Sequence, residues 1–168
     1  MPKPIKELTA RWYYYFDNFQ FSPKDFYNIV EEHIKKRKVP KANLSRVKFY
    51  QDLGFWNKRE YLRVKNQDYI FDICASPYGG GFFVSYWVGY PTSAFINFLL
   101  QIPILGVIVY AFTVKRTYYQ LDLATMFQET IRTSIASAIN EIAEEKGFRP
   151  PTAEEYKPMD APKRVKRR

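Results

Sequence analysis

The side chains that most often carry chemistry are scarce in this chain. It has one histidine, His33, and one cysteine, Cys74. One imidazole and one thiol do not make up the three or four ligands of a usual zinc site. A Ser-His-Asp arrangement could draw only on His33, and no G-x-S-x-G nucleophile motif accompanies it. The carboxylate pairs Glu31-Glu32, Glu144-Glu145 and Glu154-Glu155 are neighbours in sequence, so on a helix they diverge and read as solvated faces. The glycines 79–81 lead into Phe82-Phe83-Val84 rather than into Lys-Ser/Thr and a helix, so they predict a hairpin turn and not a phosphate loop. Gly80, Phe83, Val84 and Tyr86 fall in register with the aromatic signature of RNA-binding sheets. Gly79, Gly81 and Phe82 stand where that signature requires a basic, an aromatic and a small residue. No metal or cofactor is expected, and the chain reads as non-catalytic. An enzyme that needs neither histidine nor metal is compatible with the same residues.

Periodicity shows which elements must position these groups. Trp12, Tyr14 and Phe16 alternate with Tyr13 and Tyr15, a strand aromatic on both faces. Ser22 suits an N-cap, Pro23 the first helical position and Asp25 the positive end of the helix dipole. The helix is predicted over about 23–37, with Phe26, Ile29, Val30, His33 and Ile34 on its apolar face, and it stops before Pro40. Lys35, Lys36, Arg37 and Lys38 close it. They offset the dipole and are candidates for contact with an anionic surface.

Residues 46–90 read as short strands. In 59–65, Arg59, Tyr61, Arg63 and Lys65 share a face predicted to be wet. Strands over 69–75 and 82–90, joined by a glycine-rich turn, suggest an antiparallel meander, with Cys74 a buried small hydrophobe. Thr117–Leu121 reads as a further strand. Asp122 can then cap a helix whose stripe is Leu123, Phe127, Ile131, Ile135, Ile139 and Ile142, with Met126 beside it, ending at Gly147 before Pro150-Pro151. Residues 150–168 are polar, end in Lys163, Arg164, Lys166, Arg167 and Arg168, and are expected to be disordered.

The fold class is therefore α+β. It is an antiparallel sheet of about five or six strands, with a short N-terminal helix and a long C-terminal helix packed on one face. The single domain comprises 1–92 plus 115–149, interrupted by an apolar segment at 93–114.

That segment dominates the reading of function. No Asp, Glu, Lys or Arg occurs between Asp72 and Lys115. From Ala94 to Val114, a helix would be about 31 Å long, close to the ~30 Å hydrocarbon thickness of a bilayer. The membrane-inserting candidates are Phe95, Ile96, Phe98, Leu99, Leu100, Ile102, Pro103, Ile104, Leu105, Gly106, Val107, Ile108, Val109, Tyr110 and Phe112. Tyr86, Trp87, Tyr90, Lys115, Arg116, Tyr118 and Tyr119 are the interfacial candidates.

Three arrangements fit: a single span, a re-entrant hairpin bending at Pro103–Gly106, and core of a soluble domain. The hairpin is favoured for two reasons. Both flanks carry net positive charge, and the downstream amphipathic helix needs the upstream sheet as its apolar partner. The N-terminus has no clean apolar core or cleavage site of a signal peptide.

The net charge of +9 and 18% aromatic content complete the picture. A basic balance points to a polyanionic partner. The expectation is a membrane-associated scaffold or recruitment module on anionic lipids, with its folded domain on the cytoplasmic side. Two rivals remain open. One is a soluble basic nucleic-acid-binding module using aromatic sheet residues. The other is a ligand-binding or enzymatic domain with a pocket between sheet and long helix.

Overall fold

A computed structural model of the chain describes residues 5, 7–50, 58–66, 69–90 and 117–160. The elements are β1 (Glu7–Phe16), α1 (Pro23–Lys36), β2 (Asn43–Tyr50), β3 (Lys58–Lys65), β4 (Ile70–Tyr78), β5 (Gly81–Tyr90), α2 (Tyr118–Lys146) and β6 (Met159–Asp160). The expected α+β class holds. The strands form one antiparallel sheet in the order β2-β3-β4-β5-β1-β6.

From β2 to β5, consecutive strands are antiparallel neighbours, the meander that the sequence predicts. Its tightest link is Gly79-Gly80. Gly79 takes a φ of +57°, which favours glycine, and Gly81 is where another strand comes close. A Cβ at Gly81 would collide with the carbonyl oxygen of Phe16 and the ring of Tyr15. β1 then pairs with β5 in register from Arg11↔Trp87 to Phe16↔Phe82, so the first strand closes the meander from its other side.

α1 starts as predicted. The Ser22 side chain accepts the Asp25 N–H at 3.3 Å. Its buried face is Phe26, Tyr27, Val30 and Ile34. α2 departs from expectation at its start: Thr117–Leu121 is not a strand. The Leu121 N–H donates to the Thr117 carbonyl at 3.1 Å, so the helix opens a full turn before Asp122. Tyr-Tyr-Gln-Leu has local β preference, but this turn extends a helix that is fixed further along by the burial of Ala124, Phe127 and Ile131, and tertiary packing there overrides that preference. The predicted stripe holds at Phe127, Ile131, Ile135, Ile139 and Ile142, and Ala124 and Ala138 are buried beside it, while Leu123 and Met126, at its expected start, are exposed. Ser134, also buried, satisfies its hydroxyl on the Thr130 carbonyl at 2.8 Å. The helix ends at Gly147, whose φ is +72°. Gly147 and Phe148 N–H groups both donate to Ala143, a glycine C-cap.

Both helices bury their stripes against one face of the sheet, where Trp12, Phe16, Leu62, Val64, Phe71, Ile73, Phe82, Val84, Tyr86 and Val88 complete one core. Arg37 Nη2 donates to Ser137 Oγ at 3.1 Å, and His33 Nε2 lies 2.8 Å from Glu141 Oε2. As α1 advances from 33 to 37, its contacts on α2 retreat from 141 to 137, so the helices are antiparallel.

The opposite sheet face holds the alternate residues. Cys74 is buried as expected, but on this face, outside the main core. Arg63, predicted to be wet, is buried here against Asp72.

Residues 150–160 are not disordered. The Trp12 Nε1–H donates to the Glu155 carbonyl at 2.6 Å, and the Tyr156 ring stacks on Trp12 at 5.7 Å. Thr152 N–H and Arg149 both hold the Glu155 carboxylate, and β6 then adds to β1 through Ala10↔Asp160 and Arg11↔Met159. Two prolines followed by charged residues look like a linker, yet the aromatic pair Trp12–Tyr156 anchors them.

Candidate functional site

The expected membrane-inserting residues Phe95–Phe112, the flanking Lys115 and Arg116, and the basic end Lys163–Arg168 lie outside the described residues. No helix among the described residues is long and apolar enough to cross a membrane. What can be placed is the pair of ends that the uncharged run joins.

Those ends are Tyr90, the last residue of β5, and Tyr118, the first of α2. Tyr69 ties them into one body. Its ring lies 4.9 Å from Tyr90 and 6.2 Å from Phe127. Phe127 is nine residues, about 13 Å of helix, beyond Tyr118. The other pole of the molecule is fixed by Phe19, 4.4 Å from Phe148 and 6.0 Å from Phe82. The start of β5 therefore meets the end of α2, and the end of β5 points toward the start of α2. Tyr90 and Tyr118 therefore lie toward one pole.

The first two turns of α2 carry exposed apolar surface at that pole. Tyr118 is 88% exposed and Tyr119 70%, followed by exposed Leu121, Leu123 and Met126. Tyr118 and Tyr119 thus occupy surface positions suited to an interface. Trp87 and Tyr90 are half-buried. Tyr86 is different: at 3% exposed it lies beneath α2, inside the core. β5 is bulky on both faces, so its sequence does not reveal which face turns inward.

Lys35, Lys36, Arg37 and Lys38 are exposed at the C-terminus of α1. Antiparallel packing directs them toward the same pole. Arg37, however, contacts Ser137, about 28 Å of helix short of Tyr118, so these cations and the helix start are not brought together.

A second feature is a cleft of about 340 Å³ between the sheet, α2 and the C-terminal segment. Phe71, Tyr86 and Val88 form its floor, Glu129 and Arg132 stand on the helix side, and Lys157 lies at the rim. Arg132 forks onto Glu129 through Nε at 2.9 Å and Nη2 at 2.5 Å. The arginine beside it lowers the Glu129 pKa, and burial pushes the Tyr86 hydroxyl up to about 12. Among the described residues no group of three or more His, Cys, Asp or Glu could hold a metal ion.

Sequence reasoning missed the Arg63–Asp72 pair, although a signal existed. The two residues are equidistant from the turn at 66–69, and a hairpin centred there makes them direct cross-strand partners. It also missed Tyr27, whose hydroxyl serves two strands.

No family model matches this chain, and no curated protein matches it. Among solved structures, it is similar to the crystal structure of TTHA0849 from Thermus thermophilus. That likeness has a TM-score of 0.31 and 13% identity, over 80% of this chain and 98% of that chain. A likeness this distant carries no functional implication.

Proposed function

We propose that this chain is a non-catalytic membrane-associated protein whose α+β domain sits against a bilayer. The uncharged run at 93–114 would enter and leave the membrane from one side, and the domain would act as a scaffold or recruitment surface there. The observation that supports this reading is the common pole of Tyr90 and Tyr118. A run joining two ends of one packed body returns to the side it left, whereas a single span would separate sheet and helix. A helical arm of about ten residues reaches roughly 15 Å, about one leaflet, so Pro103–Gly106 would form the bend. The exposed Tyr118, Tyr119 and Leu121 suit the headgroup level. The cations Lys35–Lys38 and Lys163–Arg168 would add attraction to anionic lipids, about 1 kcal/mol for each residue near the surface.

The test is deletion of residues 94–112, with a short polar linker joining the ends. The full chain should pellet with membranes, resist high salt and dissolve in detergent. The deletion variant should stay soluble and keep its β-sheet circular dichroism. A full chain released from membranes by salt would overturn the reading and favour the nucleic-acid rival, because purely electrostatic binding weakens steeply with ionic strength. Loss of all sheet signal on deletion would mean that the run is core.

A further inference from the structure

The cleft beneath α2 contains a polar group that the fold leaves without a partner. Tyr86 is 3% exposed, and its hydroxyl makes no hydrogen bond with any other described residue. The hydroxyl is nevertheless not fully enclosed, and Tyr86 lines the cleft, so the hydroxyl opens into that space. An almost fully buried phenol without a partner is costly unless something in the cleft accepts its proton. Burial keeps that proton on, since the pKa is raised to about 12.

The surrounding groups define what would be accepted. A guanidinium has five N–H donors, and Arg132 commits two of them to Glu129. Its remaining donors and the Tyr86 O–H call for an acceptor, whereas the rim ammonium of Lys157 is already paired with Glu154. The carboxylate of Glu129 is already engaged by Arg132. Phe71 and Val88 offer an apolar floor beside these donors. The volume, about 340 Å³, lies at the small end of ligand pockets.

We propose that this cleft binds a small amphiphilic monocarboxylate, its apolar body on Phe71 and Val88, its carboxylate accepting from Tyr86 and from an unused Arg132 N–H. The site combines apolar walls with few convergent donors, the usual pattern of small-molecule pockets. It is independent of the membrane reading, because every group involved belongs to the sheet, α2 or the C-terminal segment.

The test titrates decanoate and decanol, which share an apolar body, into the full chain and reads methyl NMR shifts. Decanoate should bind saturably and shift the Val88 and Thr125 methyls, and decanol should bind at least about tenfold more weakly. Tyr86→Phe removes only the hydroxyl and should weaken decanoate by about tenfold or more while leaving decanol unchanged. Arg132→Gln, at a half-buried position of α2, should do the same and serves if Tyr86→Phe does not fold. Equal affinity for decanoate and decanol would overturn the proposal. So would shifts confined to the exposed start of α2, or decanoate affinity untouched by both variants.

Discussion

Arg63 and Asp72 stand directly opposite each other on β3 and β4 and form a two-pronged ion pair, Nε to Oδ1 and Nη2 to Oδ2, both at 2.7 Å. The pair is buried on the sheet face turned away from both helices, with the guanidinium 5.3 Å from the centre of the Phe49 ring. Its geometry satisfies the charges, which is what makes burial tolerable. Removing one partner strands the other. Asp72→Asn or Arg63→Met should each destabilise the fold by about 3–5 kcal/mol, whereas the double variant Arg63→Met/Asp72→Leu should recover most of that loss. Urea unfolding of the three variants checks it. Additive losses in the double variant would show that the pair is not the source of the effect.

Tyr27 takes the place of a missing strand contact. The β3–β4 ladder ends at Leu62↔Ile73, and beyond it the two strands separate. There the Tyr27 hydroxyl accepts the Ala75 N–H at 2.8 Å and donates to the Glu60 carbonyl at 2.9 Å. The ring is covered by Arg46, 4.6 Å from its centre, and burial raises the phenol pKa, so it remains a neutral donor. Tyr27→Phe keeps the ring but leaves a buried backbone N–H unpaired, at a cost of about 1–3 kcal/mol. Hydrogen exchange at Ala75 should speed up more than at Ile73. Unchanged protection at Ala75 would remove Tyr27 from this role.

The C-terminal segment should come loose in acid. The Thr152 backbone N–H and then the Arg149 guanidinium hold the Glu155 carboxyl at about 2, below its ordinary 4.5. A carboxylate depressed in the folded state contributes stability above its unfolded pKa and loses it as pH falls through the folded one. The attachment of 150–160 should therefore weaken between about pH 4.5 and 2, seen as a change in the Trp12 indole N–H resonance, because that group donates to Glu155. Glu155→Gln should flatten this pH dependence. A Trp12 resonance that titrates unchanged in Glu155→Gln would assign the effect elsewhere.

How much of this was legible depended on how local each cause is. Ser22, Pro23 and Asp25 specify a helix start by their own chemistry, and α1 begins where they place it. Alternation marked β3, β4 and β5, because the inward and outward residues of a strand are set by its own sequence. Thr117–Leu121 was misread because its residues favour strands locally, while the packing of Phe127 and Ile131 fixes the helix from further along. The anchoring of 150–160 could not be read, since Trp12 and Glu155 meet only after the sheet has formed. The cleft is likewise assembled from β4, β5, α2 and Lys157, and no stretch of sequence holds more than a fragment of it.

The re-entrant reading makes a topological prediction that needs no ligand. Lys24 on α1 precedes the uncharged run and Glu144 on α2 follows it, and both are exposed. α1 and α2 pack side by side through Arg37–Ser137 and His33–Glu141, so the two positions belong to one body. Separating them across a bilayer would strip Phe127, Ile131, Ile135 and Ile139 of their partners, at roughly 1.5–3 kcal/mol for each side chain. Lys24→Cys and Glu144→Cys, each in a Cys74→Ser background, should react alike with an impermeant thiol reagent in sealed vesicles of one orientation. Both should label, or both should be protected until detergent opens the vesicle. Opposite labelling would establish a single span, and the sheet and α2 could not then form the common core through which Tyr69 joins Tyr90 to Phe127.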